Sequence, residues 1–454
     1  MPARPKTVIF VHGWSVTNLD TYGGLPARLQ AEAAARGQRL DIEHVWLGRY
    51  ISFNDEVRLE DVSRAFEAAL RDRLGRALAD GRRFACITHS TGAPVIRDWW
   101  HRYHAGHICP ISHLVMLAPA NFGSALARLG KGRLGRIKAW VGGVEPGTGI
   151  LDWLELGSPE SWALNVDWIR TESHRVGVRG LFPFVLSGQT IDRAIYDHLN
   201  SYTGEAGSDG VVRIAAANLN ARLVTLRQDT ADAELCIDGV ESAPDTVFGI
   251  VPGAAHSGKS LGIMRSVDAR RGRRQGAALV GRVLDCLAVE DKGDYRRLLQ
   301  EFREANERVQ EDECVDTVER AVPGLRHYFV DRHSMLVFRL RDDRGHPVDD
   351  FDLLLTAGPQ NDPDALPRGF FGDRQRNSRS RNVLTYYLNY DLMTGVPARR
   401  SDGRIVREAS AGIDRLGIVL RPRPRDGFVH YRAAGLPASR ELLDAILVPN
   451  ATTL

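Results

Sequence analysis

No run of apolar residues in this chain reaches the length a helix needs to cross a bilayer, so no segment reads as a transmembrane span. Cysteine is scarce. The five present are scattered and odd in number, with neither metal-ligand spacing nor a disulfide framework. Cys86, inside an apolar run, reads as a buried, reduced thiol. An excess of either charge is missing too: 60 Lys and Arg against 57 Asp and Glu leave a formal charge of +3, which gives nucleic-acid binding no support. The residues from Met1 to Lys6 lead directly into a strand-like run, leaving no room for a cleavable signal peptide. The expectation is a protein made in the cytoplasm, exported, if at all, by a route that reads no N-terminal signal. What is present is ordinary for a soluble globular protein, with 43% hydrophobic and 26% charged residues. At 454 residues the chain exceeds what one core fills, so two domains are expected.

The most informative local feature is Thr88-His89-Ser90-Thr91-Gly92, set between the apolar run Phe84-Ala85-Cys86-Ile87 and a helix-like stretch from Ala93 to Trp100. A serine hydroxyl attacks a carbonyl only when it is held clear of the secondary structure, beside a base. A sharp strand-to-helix turn does this and demands small residues two before and two after the serine. Gly92 meets the demand, whereas Thr88 stands where glycine is usual. Upstream, the β-branched run from Thr7 to Val11 ends at His12-Gly13-Trp14, a glycine turn suited to an oxyanion donor. The N–H of the residue after the nucleophile, Thr91, would pair with one from that loop, Trp14.

The acid and the base should follow the serine, in that order. His256 lies among small residues in Val251-Pro252-Gly253-Ala254-Ala255-His256-Ser257-Gly258, a loop able to bring an imidazole beside Ser90; His198 is the alternative. His89, on the strained turn, is expected to point elsewhere. Asp209, on a turn flanked by glycine, can accept the histidine Nδ1 proton and fix its tautomer. Asp229 and Asp232 compete for that role.

Together with Leu117-Ala118-Pro119-Ala120-Asn121-Phe122-Gly123-Ser124 and Ser208-Asp209-Gly210-Val211-Val212, these motifs occur in an order that resembles bacterial lipases and phospholipases of the α/β-hydrolase superfamily, over roughly residues 5–288. The resemblance implies that Asp209 is the acid and that the segment after the Ala-Pro strand leads into a lid. It implies a serine ester hydrolase acting on lipid or phospholipid, with Ser90, Asp209 and His256 catalytic, Trp14 and Thr91 in the oxyanion hole, and no metal or organic cofactor. Two other readings stay open: a carboxylesterase on small soluble esters, and a non-catalytic binding protein on a hydrolase scaffold. The missing signal peptide, lipase-like domain and appended β domain are also similar in outline to the lipase effectors of type VI secretion systems. That likeness would imply an immunity or secretion partner.

The fold class expected is α/β: a mostly parallel sheet with helices on both faces, a lid-like insertion, and a C-terminal antiparallel β-sandwich. Strand candidates in the first domain are 7–11, 44–47, 83–88, 113–118, 182–188 and 222–227. Val62, Phe66, Ala69, Leu70 and Leu74 recur at helical spacing, predicting a helix over about 61–78. The insertion at about 121–167 mixes Leu126, Leu129, Ile137 and Trp140 with basic residues, a composition suited to a lid that makes transient contact with a membrane surface. The expected divisions are a catalytic domain at 1–290, a linker helix at 291–324 and a β-rich domain at 325–454. Strands are expected there over 335–340, 351–356, 383–388, 416–420 and 428–431.

Overall fold

The computed structural model describes residues 5–12, 19–51, 56–104, 108–128, 147–171, 175–191, 205–229, 234–313, 315–319, 325–401, 403–428 and 430–454. Up to residue 250 the chain forms the strands β1 (Lys6–His12), β2 (Leu40–Trp46), β3 (Phe84–His89), β4 (Ile111–Leu117), β5 (Phe182–Ser187), β6 (Arg222–Gln228), β7 (Leu235–Ser242) and β8 (Val247–Ile250). In the order β2-β1-β3-β4-β5-β8, these build a sheet whose pairings are all parallel. β3, β4, β5 and β8 are buried almost throughout, as strands covered on both faces must be.

The helices that matter for the site are α1 (Leu25–Ala35), α2 (Leu59–Ala79), α3 (Gly92–His104), α4 (Pro159–Ile169), α5 (Ala277–Leu287) and α6 (Lys292–Asp312). α2 buries Val62, Phe66, Ala69, Leu70 and Leu74, the stripe that its periodicity predicts. It packs on α3 through Phe66 and Trp99, edge to face at 5.1 Å. α1, α5 and α6 join the sheet in one core containing Leu29, Phe184, Leu284 and Phe302.

Two compact units result. One comprises Met1–Glu155, Thr171–Leu219 and Pro244–Glu313; the other comprises Leu156–Arg170, Asn220–Ala243 and Cys314–Leu454. The chain thus crosses between units several times, unlike the sequential division expected from the sequence. α6, expected as a linker, belongs to the first unit. It clamps the edge strand β8: Asn306 accepts the Ile250 amide at 2.7 Å and donates to the Phe248 carbonyl at 2.8 Å. Tyr295 accepts the Val247 amide at 3.1 Å. An edge strand would otherwise offer these groups to another chain.

The strand expected at 222–227 exists, but it pairs antiparallel with β7 in the second unit. Its place beside β5 is taken by β8, four residues with a central glycine and too short to be read as a strand. The alternating exposure of β6 and β7 explains the difference, because one-sided burial suits an antiparallel hairpin rather than a covered parallel sheet. Of the lid-like insertion, residues 129–146 lie outside the described residues. Trp153, in its described part, is buried.

The rest of the chain forms β9 (Val315–Glu319), β10 (Leu325–Phe329), β11 (His333–Arg339), β12 (Phe351–Ala357), β13 (Phe371–Arg376), β14 (Val383–Asn389), β15 (Arg399–Ser401), β16 (Arg404–Arg407), β17 (Leu416–Pro422), β18 (Ala434–Ser439) and β19 (Ala451–Thr453). A six-stranded sheet, β13-β14-β11-β19-β6-β7, and a three-stranded sheet, β12-β17-β18, share a core that includes Leu336, Leu353, Leu388 and Ile418. The larger sheet is mixed rather than antiparallel, since β19 runs parallel to both β11 and β6. No strand forms at Phe428, which is exposed in a bend; Val429 lies outside the described residues.

Candidate active site

Ser90 follows the last residue of β3 and immediately precedes Thr91 and α3, with φ of +53°. For a non-glycine residue this backbone costs roughly 1–3 kcal/mol and persists only where its surroundings enforce it. Hydrogen bonds to the neighbouring strand end supply that enforcement. The Ser90 amide donates to the Leu117 carbonyl at 3.0 Å, and the Ser90 carbonyl accepts the Ala120 amide at 3.3 Å. A Cβ added at Gly92 would lie 3.3 Å from the Cβ of Thr88, so the two positions face each other across the elbow. Threonine fits because glycine stands opposite it. Its buried Oγ1 has no hydrogen-bond partner among the described residues, a cost a glycine would avoid.

Three side chains far apart in sequence meet here. His256 Nε2 lies 3.1 Å from Ser90 Oγ, and His256 Nδ1 lies 2.9 Å from Asp209 Oδ2. Both distances are within proton-transfer reach. Asp209 is wholly buried and His256 is nearly so. The other carboxylate oxygen, Oδ1, accepts the amides of Val211 at 3.0 Å and Val212 at 2.8 Å, which fixes the carboxylate plane. An ionised carboxylate only accepts, so Nδ1 carries the proton and Nε2 is left to receive that of Ser90. His198 and Asp232 lie outside the described residues, and Asp229 belongs to the second unit.

His89 proves closer to the chemistry than the sequence suggests. Its Nε2 lies 3.2 Å from the His256 main-chain carbonyl, and the two rings are 4.8 Å apart. Burial, then the neighbouring His256, holds its pKa well below the usual imidazole range, so the ring is neutral and its N–H donates to that carbonyl. The general pattern of the elbow carries no signal for this role.

The Thr91 amide makes no hydrogen bond among the described residues, leaving it available where a developing oxyanion would need it. Trp14, the expected second donor, lies outside the described residues. At the end of β1, His12 is packed on three sides: it stacks on Trp46 at 3.7 Å, bonds His44 Nδ1 through Nε2 at 2.8 Å, and meets Tyr22 edge-on. Burial, then His44, pushes the His12 pKa down to about 3. Among the described residues no group of three His, Cys, Asp or Glu side chains is placed to hold a metal ion.

No family model and no curated protein matches the chain. Solved structures do. The chain is similar to the phospholipase PlaB from Legionella pneumophila, with 44% identity over 99% of this chain and 92% of that one, at a TM-score of 0.87. The same enzyme in complex with thio-NAD aligns at 42% identity over the same shares, with a TM-score of 0.84. Similarity to a Bacillus licheniformis lipase is far weaker, at 16% identity and a TM-score of 0.34 over 48% of this chain and 80% of that one. With near-complete coverage, a parallel hydrolase sheet and a serine elbow, the chain belongs to the family of the phospholipase PlaB, within the α/β-hydrolases.

Proposed function

We propose that this protein is a serine hydrolase that cleaves acyl esters of phospholipids, with Ser90 as nucleophile, His256 as general base and acid, and Asp209 as the residue that orients the ring. The observation that carries this reading is the continuous relay from Asp209 Oδ2 through His256 to Ser90 Oγ, on an elbow held at positive φ.

The steps follow from the geometry. Ser90 Oγ attacks the ester carbonyl as its proton passes to His256 Nε2, and the negative charge on the carbonyl oxygen falls towards the Thr91 amide. Trp14 is the second donor in this reading. The imidazolium, stabilised by the buried carboxylate of Asp209, then protonates the departing lysophospholipid alkoxide, leaving an acyl-serine. Water loses a proton to His256, attacks the acyl carbon and releases the fatty acid, restoring the Ser90 hydroxyl. No step of this sequence changes an oxidation state.

The test is fatty-acid release from phosphatidylglycerol and phosphatidylcholine vesicles, set against hydrolysis of a short soluble nitrophenyl ester. Vesicle hydrolysis that falls at least about 10³-fold in Ser90→Ala supports the reading. Vigorous turnover of the soluble ester with none of the vesicles would make the enzyme a carboxylesterase instead.

A further inference from the structure

Between β8 and α5 the chain displays four arginines in five residues, Arg270-Arg271-Gly272-Arg273-Arg274, every one of them exposed. Like charges this close push a segment apart unless it is held. Arg28 of α1, only 2% exposed, holds it from beneath: its guanidinium donates to the carbonyls of Asp268 at 3.3 Å, of Arg273 at 3.0 Å and of Arg270, and its Nε donates to Glu32 at 2.9 Å. With those carbonyls drawn inward, the arginine side chains face solvent. The same loop lies flush on the start of α1, where the Gly24 amide donates to the Val267 carbonyl at 3.2 Å and a Cβ at Gly24 would sit 2.4 Å from the Ala269 nitrogen.

The basic surface extends beyond this run. Gln275 donates to the Ser260 carbonyl at 3.2 Å, which brings the exposed Lys259 and the partly exposed Leu261 alongside. Arg270 meets Asp268 at 2.8 Å, Arg271 meets Glu32 at 3.5 Å and Arg273 meets Asp268 at 3.9 Å, yet each of these arginine side chains stays more than half exposed. Pairs this open contribute little, so a stronger anion can displace them. Lys259 and Arg274 have no carboxylate within ion-pair distance among the described residues. Five cations therefore face two carboxylates, an excess equal to the +3 of the whole chain. The remainder of the molecule is neutral on balance, so its field turns this face towards a negative surface.

This surface is joined to the chemistry within the first unit. β3 and β8 run the same way, so the segment leaving β8 starts at the edge of the sheet that carries the Ser90 elbow. Ala255, beside His256, donates its amide to the Leu261 carbonyl at 2.9 Å and accepts the Ile263 amide at 2.8 Å. We infer that Lys259, Leu261, Arg270, Arg271, Arg273 and Arg274 dock the enzyme on bilayers of anionic phospholipid, presenting the Ser90 edge to the lipid; the choice of partner rests on the phospholipid reading above. Guanidinium forks take phosphate oxygens two at a time, and Leu261 adds an apolar side chain that a headgroup layer accepts. Nucleic acid, the other extended polyanion, fits less well. Residues 259–261 and 270–275 hold no aromatic ring on which a base could stack.

The test is co-sedimentation of the full chain, inactivated by Ser90→Ala, with vesicles of phosphatidylcholine alone and of phosphatidylcholine carrying about 30% phosphatidylglycerol. The expected result is binding at least about tenfold tighter to the anionic vesicles, weakened at least about 30-fold in R270A/R271A/R273A/R274A and kept within about threefold in R270K/R271K/R273K/R274K. Should the alanine variant fail to fold, R271A/R274A, which leaves both arginines on Asp268 in place, decides with a loss of about fivefold or more. Equal binding to the two vesicles, binding that the alanine variants leave unaltered, or tighter binding of a single-stranded oligonucleotide than of the anionic vesicles in the same buffer would overturn the inference. Turnover is not the readout, so an inactive enzyme that docks and an active one that does not tell the two readings apart.

Discussion

Asp209 grips His256 twice: its Oδ2 takes the ring Nδ1–H at 2.9 Å, and its main-chain carbonyl accepts the His256 amide at 3.0 Å. Ring and backbone are therefore positioned by one residue, itself fixed through the Val211 and Val212 amides. In Asp209→Asn the amide oxygen should keep the bonds to Val211 and Val212, turning the NH₂ towards Nδ1. That forces the tautomer that donates from Nε2, the wrong direction for accepting the Ser90 proton. The expected outcome is a fall in kcat of about 10⁴ with KM and thermal stability little changed. Steady-state kinetics on phospholipid vesicles, with a melting curve, check it.

Thr88 and Gly92 should be coupled. Gly92→Ala brings a Cβ to 3.3 Å from that of Thr88, with the rigid β-branched side chain unable to turn away. Activity should fall about tenfold or more as the elbow shifts. Thr88→Gly removes the opposing atom, so T88G/G92A should recover much of the loss. A double-mutant cycle on kcat/KM measures the coupling, and additive effects would count against a direct contact.

Much of this site is legible in the sequence because its parts are local. Ser90 announces itself through a strand, a turn and a helix within a few residues, and Asp209 through a glycine turn. Their convergence with His256 is a property of the parallel sheet, whose strand ends bring those turns to one edge. The failures are non-local. β6 reads as a strand of the first domain, yet its alternating exposure and its partner β7 place it in the second unit. β8 escapes notice because four residues with a glycine carry too little pattern, although α6 stabilises them through Asn306 and Tyr295. His89 is missed because its partner is a backbone carbonyl 167 residues away.

His89→Phe preserves the ring but loses the hydrogen bond to the His256 carbonyl. With the base loop less well held, kcat should fall about tenfold while KM stays near its original value. Replacement by Asn, which can still donate, should restore part of the rate. Equal kcat for His89→Phe and the parent enzyme would remove His89 from the positioning shell.

Acid should destabilise the fold before carboxylates titrate. Burial is the main cause holding His12 and His113 at about 3, well below the ordinary imidazole value of about 6.5. Between these values the unfolded chain binds protons that the folded chain does not, so stability falls as pH drops below about 6.5. Each group should cost roughly 2 kcal/mol by pH 5. Denaturant titrations at pH 7.5 and 5.0 read the difference. His113→Gln, which can still donate to the Val289 carbonyl that His113 bonds at 2.7 Å, should flatten the profile.

The central claim is that the Ser90 hydroxyl is activated by His256. A fluorophosphonate probe followed by peptide mass mapping tests it directly, since only an activated serine reacts. The account predicts one adduct per chain, on Ser90, absent from Ser90→Ala and formed at least about 100-fold more slowly in His256→Ala. An unlabelled parent enzyme, or labelling of Ser90 at the same rate without His256, would contradict it.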